Sequence, residues 1–216
     1  MQNFGKVALF DFDGTLVDSM PVWSEKMLRL LRLQNINPPT NLVPIIATLG
    51  DRGTLDYFEK NFNITLTREQ MQLEMDAYAL PRYEKEIPLK QGVKEFLFYL
   101  KGLGIKIGLL TASPRKMFLP ALKRLGILEL FDFTFSTDDF NLTKSNPQIY
   151  LEVAKLLKVS PCEITFFDDN LSAIATAKKA KLKTVAVYDK TSSSYKQDLK
   201  NTADQYILSF TELLSK

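Results

Sequence analysis

Five short apolar runs recur along this chain, most of them followed by a stretch of helical periodicity. That alternation restricts the fold more than any other feature. The runs are Val7-Ala8-Leu9-Phe10, Ile105 to Leu110, Phe133-Thr134-Phe135, Ile164 to Phe167 and Thr184 to Val187. Near-continuous apolar runs of this length belong to parallel strands covered on both faces. Between them, Val93, Phe96, Leu97 and Leu100 repeat at i, i+3, i+4, i+7, and Gly102 and Gly104 close that helix. Pro114 stands where a first helical turn would begin, ahead of Met117, Leu119 and Leu122, with Gly126 at the far end. Pro147 likewise precedes Ile149, Val153, Leu156 and Leu157. Strand and helix alternating at this interval build right-handed βαβ units, so the expected fold class is α/β, a doubly wound parallel sheet.

The rhythm breaks between the first and second runs. Residues 18–88 show helical patterns over Val22 to Leu33, Leu55 to Asn61 and Arg68 to Tyr83, and no strand. Roughly seventy residues far exceed the few that a βα connection needs. The expected organisation is an α/β core formed by residues 1–17 and 89–216, with a helical bundle inserted over 18–88 and bounded by Pro21 and Pro88. The polar stretch from Lys190 to Asn201 reads as a surface loop or frayed helix.

Composition narrows the chemistry. With 216 residues, 45% hydrophobic and 25% charged, the chain is an ordinary globular protein able to bury a core. The 28 basic and 25 acidic side chains are mixed along the sequence, which argues against a nucleic-acid partner. No run approaches the roughly 20 apolar residues that span a bilayer, and the N-terminus lacks the form of a signal peptide. Neither a membrane partner nor an export signal is therefore expected, and the expected location is cytoplasmic. Cys162 is the sole cysteine and cannot form an internal disulfide, which suits a reducing compartment. There is no histidine at all. That excludes a Ser-His-Asp triad, a Cys-His pair, a histidine zinc site and a phosphohistidine. Carboxylates, lysine, hydroxyls or a metal must carry any catalysis.

The strongest local signal is an apolar strand running straight into Asp11-Phe12-Asp13-Gly14-Thr15. In open α/β sheets ligands bind beyond the carboxyl ends of the strands, where Asp11 and Asp13 must lie. Aspartate and glycine also form turns, but a turn does not account for a carboxylate placed directly after a buried run, where it is costly unpaired. Phe166-Phe167-Asp168-Asp169 repeats the arrangement. Alone, Asp168-Asp169-Asn170 reads as a helix N-cap. Beside Asp11 and Asp13 the metal reading prevails, because four carboxylates at one sheet edge repel unless a cation holds them. Oxygen ligands without histidine or cysteine point to magnesium. Asp138-Asp139 follows no comparable run and reads as a loop. Thr111-Ala112-Ser113-Pro114 places a hydroxyl and free backbone N–H groups at a helix start, which is a phosphate site. Lys144 lies in a loop before the Pro147 helix.

Aspartate pair, hydroxyl, lysine, aspartate pair, each at a strand end: this order resembles the haloacid dehalogenase superfamily, in its phosphatase and β-phosphoglucomutase-like branch with a helical cap. The resemblance covers nearly the whole chain, and Asp11-Phe12-Asp13-Gly14-Thr15 is highly specific to it. It implies Asp11 as nucleophile and Asp13 as general acid/base. It further implies Thr111 and the Ala112 N–H as phosphoryl ligands, Lys144 as the neutralising cation, and a magnesium site drawing on Asp11, Asp13, Asp168 and Asp169. The implied function is a Mg-dependent phosphatase that hydrolyses a small phosphorylated metabolite through an aspartyl-phosphate. A sugar-phosphate mutase using the same intermediate is the alternative. A non-catalytic, receiver-like binding module is the third reading, and chain order argues against it, since a second acidic pair follows Lys144. The default expectation for assembly is a monomer or weak dimer.

Two departures from the family pattern stand out. Ser145 and Asn146 separate the lysine from Pro147, and Ala173 and Lys181 replace glycines in and after the following helix. Lys181 is expected in a left-handed conformation that a non-glycine residue resists. Gly50-Asp51-Arg52-Gly53 reads either as a turn ahead of a helix at Thr54 or as a segment reaching the core, in which case Arg52 would contact substrate. Trp23, Tyr78 and Tyr83 read as packing within the helical insertion, and Lys178, Lys179, Lys181 and Lys183 as a solvated face.

Overall fold

The structure, a computed structural model, describes residues 4–46 and 49–214. Six parallel strands form one sheet in the order β3-β2-β1-β4-β5-β6. They are β1 (Val7–Phe10), β2 (Lys106–Thr111), β3 (Phe133–Ser136), β4 (Ile164–Asp168), β5 (Lys183–Val187) and β6 (Gln205–Ile207). The first five fall on the apolar runs, as the pattern requires. Alternation along each strand feeds two cores. Val7, Leu9, Ile164 and Phe166 pack on one face against α7 (Gln148–Leu157) and α8 (Leu171–Lys179). Ala8, Phe10 and Phe167 pack on the other with α5 (Val93–Gly102) and α6 (Arg115–Arg124). On that second face Phe10 and Phe167, register partners across β1 and β4, stack with ring centroids 4.5 Å apart. Phe96 and Phe210 close over them at 5.7 and 6.0 Å from Phe167.

Between β1 and α5 come four helices: α1 (Met20–Leu33), α2 (Leu42–Ile46), α3 (Gly50–Asn61) and α4 (Arg68–Lys85). They bury a cluster of their own, built from Trp23, Met27, Leu31, Leu55, Phe58, Met71 and neighbours. Helix α4 starts at a capping box, in which Thr67 Oγ1 accepts from the Gln70 N–H and Gln70 Oε1 accepts from the Thr67 N–H. The chain leaves and re-enters the sheet side by side. The Asp18 N–H donates to the Pro88 carbonyl at 3.0 Å, the Lys90 N–H donates to the Leu16 carbonyl at 2.9 Å, and Val17 bridges Leu89 antiparallel. The far end of α4 is fastened to α6, since the Arg124 guanidinium donates to the carbonyls of Tyr83 and Ile87. Lys116 of α6 also pairs with Asp76 of α4.

The polar stretch after β5 is more ordered than a loop. A 3₁₀ turn at Ser193–Tyr195 leads into α9 (Lys196–Thr202), anchored by the buried Leu199, and then into β6. Chain order reverses about β1, with β2 and β3 on one side and β4 to β6 on the other. The crevice beyond the carboxyl ends of β1 and β4 is therefore the ligand position for such a sheet.

Candidate active site

Asp11 leaves β1 with its N–H donated to the Phe167 carbonyl at 2.9 Å, which sets it beside the end of β4. Alternation then divides the motif. Phe12 is fully buried between Tyr83 and Phe118, with ring centroids 6.3 Å from each, while Asp11 and Asp13 turn to the crevice. Gly14 has φ +75°, and a Cβ there would lie 2.6 Å from Asp169 Oδ2. Only glycine lets the loop turn this tightly against that carboxylate.

Among the described residues, Asp11, Asp168 and Asp169 form one buried group, with a carboxylate oxygen from each lying within 4.8 Å of the others. Lys144 is inserted between two of them, its Nζ 2.7 Å from Asp11 Oδ1 and 2.7 Å from Asp168 Oδ2. The remaining Asp168 oxygen accepts from the Asn170 N–H at 2.7 Å, and Asp169 Oδ1 accepts from Thr15 Oγ1 at 3.1 Å. Burial raises the Asp11 carboxyl to about 7; the Lys144 charge opposes this, while Asp168 and Asp13 add to it. Burial, with the charges of Asp168 and Asp11, raises Asp169 well above the carboxylate range. Lys144 moves the other way. Burial works against its charge, but Asp11 and Asp168 outweigh that and hold the ammonium protonated. Fully ionised, three carboxylates against one ammonium leave two negative charges uncompensated in a low-dielectric site, all on oxygen, and this is what raises Asp11 and Asp169 when no cation is bound. That donor set fits a hard divalent cation.

Asp13 stands apart from the group of three. Its Oδ1 accepts from Ser19 Oγ at 2.6 Å and from the Tyr83 hydroxyl, and its Oδ2 accepts from Ser113 Oγ. Tyr83 comes from α4, Ser113 from the loop after β2, and Ser19 from the start of α1, so three segments converge on one carboxylate. Tyr83 is therefore more than packing: its ring is buried against Phe12, but its hydroxyl is an active-site donor. A tyrosine in an amphipathic helix carries no sequence mark of this role. Ser19 did carry one, lying in the motif at a helix start. At the other strand end, Thr111 is buried and its Oγ1 accepts from the Ser113 N–H at 3.0 Å, leaving the hydroxyl proton available, while Ala112 beside it is exposed.

A model of the haloacid dehalogenase-like hydrolases matches residues 6–181, a span that takes in every one of these groups. The chain belongs to that family. YhcW of Bacillus subtilis is 32% identical over 187 residues, covering 86% of this chain and 84% of that one. Hexitol phosphatase B of Escherichia coli K12 is 29% identical over 185 residues, covering 83% and 82%. The crystal structure of CbbY from Rhodobacter sphaeroides in complex with phosphate shares the fold with a TM-score of 0.82 at 21% identity, covering 97% and 96% of the two chains. This haloacid dehalogenase-like chain is thus a hydrolase of the phosphatase branch, and its relatives support phosphoric monoesters as the bond type. Among the described residues no helix is long and apolar enough to cross a membrane.

Within the family frame, the departures are accommodated locally. The turn in which the Asn146 N–H donates to the Thr143 carbonyl at 2.9 Å presents Lys144, and the buried Tyr150 hydroxyl holds it from beneath, 3.0 Å from the Lys144 carbonyl and 3.2 Å from that of Ala173. Lys181 has φ +67°, as its position required. Asp139 is no site residue: it pairs with Arg115 and accepts from the Ser136 N–H. The Gly50–Gly53 segment is not a turn ahead of a helix but the first turn of α3 itself. Arg52 is exposed there and makes no ion pair among the described residues. Lys179 and Lys181 are solvated as expected, but Lys178 donates to the Thr202 carbonyl and pairs with Asp204, and Lys183 is the half-buried first residue of β5 rather than part of a solvated face; Trp23 packs in the helical cluster as expected.

Proposed function

We propose that this protein is a magnesium-dependent phosphatase that hydrolyses a small phosphorylated metabolite through a phosphoenzyme on Asp11. The observation that carries this reading is the pairing of two unlike carboxylates at the end of one strand. Asp11 is buried beside an ammonium and two further acids, and Asp13 is held by three hydroxyls. Asp11, Asp168 and Asp169 would hold the ion, with Asp13 at its margin. Bound there, a divalent cation would neutralise the carboxylates and the phosphate dianion that otherwise repel each other.

The chain's own groups supply the rest. Asp11 attacks phosphorus as the ester P–O bond breaks, and Asp13 gives its proton to the departing alkoxide oxygen. A water then attacks the aspartyl-phosphate, its proton passes to Asp13, the Asp11–phosphorus bond breaks and inorganic phosphate leaves. Lys144, the Thr111 hydroxyl and the Ala112 N–H face the charge carried by the phosphoryl oxygens, which is most of what such a transfer requires. Residues 18–88 act as a cap over this crevice, and Ser19 and Tyr83 are its contributions to the acid/base. A cytoplasmic setting, which suits the exposed lone thiol of Cys162, completes the reading.

Turnover of p-nitrophenyl phosphate with and without magnesium tests it, with Asp11→Asn as the control. Magnesium-dependent release that Asp11→Asn abolishes, with the circular dichroism spectrum retained, is expected; unchanged activity in that variant ends the mechanism. A panel of sugar phosphates separates hydrolysis from mutase chemistry, since a mutase would interconvert isomers without net release of phosphate.

A further inference from the structure

We propose that Lys90, held in place by Asp189, is a positioning residue: it fixes the Asp13-Gly14-Thr15 turn and thereby aims the Asp13 carboxylate at the leaving-group oxygen. The inference rests on the phosphatase reading and adds to it the group that holds its acid/base in register. Lys90 stands where the chain returns from the helical insertion to the sheet. Its N–H donates to the Leu16 carbonyl at 2.9 Å, and its ammonium reaches the Gly14 carbonyl, so one residue ties two carbonyls of the motif loop. The same ammonium donates to the Tyr188 carbonyl and pairs with Asp189 Oδ2 at 3.2 Å, both just beyond β5. Asp189 is itself buried, and its other oxygen accepts from the Thr191 N–H at 2.9 Å and the Thr191 hydroxyl at 2.6 Å.

An ammonium carries three N–H donors, and here they go to Gly14, Tyr188 and Asp189. With only 16% of its side chain exposed, Lys90 has no donor left for a phosphoryl oxygen. Its task is therefore local. A buried ion pair gains little over two well-packed apolar side chains, so stability alone does not account for one at this joint. An ammonium does what an apolar side chain cannot: it grips two backbone carbonyls from separate segments. Packing does not hold them instead, since a cavity of about 320 Å³ opens beside the joint, lined in part by Leu89, Lys90, Tyr188, Asp189 and Phe210.

The gripped carbonyl belongs to the residue between Asp13 and Thr15. On one side of it Thr15 Oγ1 donates to Asp169; on the other, Asp13 meets its three hydroxyls. Those hydroxyls set where the Asp13 carboxylate points, whereas Lys90 sets where the Asp13 backbone stands. The charges of Lys90 and Asp189 reach Asp169 in opposite senses, so removing both together disturbs the field at the site less than removing either.

The test compares kcat/KM, with magnesium, for phenyl phosphate and p-nitrophenyl phosphate. The two esters are alike in shape, but phenolate is the poorer leaving group and needs the proton of the acid more. The double variant Lys90→Met with Asp189→Asn is expected to fold and to lose about ten- to a hundredfold on phenyl phosphate. Its loss on p-nitrophenyl phosphate is expected to be smaller by about threefold or more. Where the double variant does not fold, Asp189→Asn alone carries the test. It frees the ammonium from its counter-charge while leaving the carbonyls in reach, and the same imbalance is expected at about threefold. A residue that merely supports the fold is indifferent to which alcohol leaves. Equal losses on the two esters, folded variants as active as wild type, or failure of both variants to fold therefore overturn the assignment. So does wild-type protein that uses p-nitrophenyl phosphate alone, since it then has no acid catalysis to position. In each of those cases hydrolysis of p-nitrophenyl phosphate by the wild type leaves the phosphatase reading standing; wild-type protein that hydrolyses neither ester overturns both.

Discussion

Ser19 is of a type that caps helices, yet α1 has no side-chain cap because the Ser19 hydroxyl donates to Asp13 instead. Diverting a capping group costs α1 on the order of 1 kcal/mol and leaves the Asp13 carboxylate fixed. Tyr83 and Ser113 share that task. Removing one donor to a charged group is worth about 1.5 to 3 kcal/mol, so Tyr83→Phe should lower kcat/KM for alkyl phosphates about tenfold or more. The loss should be smaller for p-nitrophenyl phosphate, whose leaving group needs little protonation; an equal loss on both would mean that Tyr83 merely supports the fold. The aspartates themselves were legible because an acid after a buried strand is improbable without a partner. Tyr83 was not, because its partner is 70 residues away in sequence and only the return of α4 to the sheet brings them together. Asp11 gives a second prediction. Its carboxyl is raised from 3.8 to about 7 by burial, so between those values the folded state holds a proton that the unfolded chain has released. Its contribution to stability is complete at acid pH and fades as pH rises through about 7. The metal-free Tm should therefore fall between about pH 4 and about pH 7, and magnesium should raise Tm more at the upper end. A magnesium shift that does not depend on pH would count against this group as the ion's binding site.

Helix α8 shows what one element can carry over from the family pattern at a cost. It ends in a motif where the Lys181 N–H donates to the Lys178 carbonyl at 2.9 Å and the Leu182 N–H donates to the Ala177 carbonyl at 3.1 Å. That geometry holds Lys181 at φ +67°, which a side chain resists by roughly 1 to 2 kcal/mol. Lys181→Gly should accordingly raise stability by about 1 kcal/mol and Tm by about 2 to 4 °C in calorimetry, with kcat/KM unchanged. A loss of stability would show that the lysine stem packs usefully where it lies. This strain was readable from sequence because the lysine stands where the family pattern has a glycine after the helix. Elements with a weak apolar signature were not. Gln205-Tyr206-Ile207 is too short and too polar for its pattern to separate a strand from a loop, and it becomes β6 only because β5 offers an open edge. In the same way α9 is held through the single buried Leu199, and its run of serine, lysine and aspartate conceals it.

At the scale of the whole molecule, the sheet and the helical insertion are joined by two adjacent backbone passages near Val17 and Leu89 and by the fastening of α4 to α6. Asp13 is the point where they meet chemically, since its donors come from both parts. An anion bound between Lys144 and Thr111 would therefore lie against groups contributed by the sheet and under groups contributed by the insertion. Binding to the folded state alone stabilises by about 2.7 kcal/mol at a ligand concentration near 100 Kd. For a chain of this length that corresponds to a rise in Tm of about 5 to 10 °C. Inorganic phosphate with magnesium, titrated to saturation, should produce such a shift, and hydrogen exchange should slow not only at Thr111 to Ser113 but also around Tyr83 and the passages near Val17 and Leu89. Lys144→Ala should abolish both effects, since without the ammonium the pocket holds only carboxylates against the incoming dianion. Protection confined to the sheet, with α4 exchanging as before, would mean that phosphate binds without engaging the insertion. The three hydroxyls on Asp13 would then serve the acid/base alone, and residues 18–88 would not act as a closing cap.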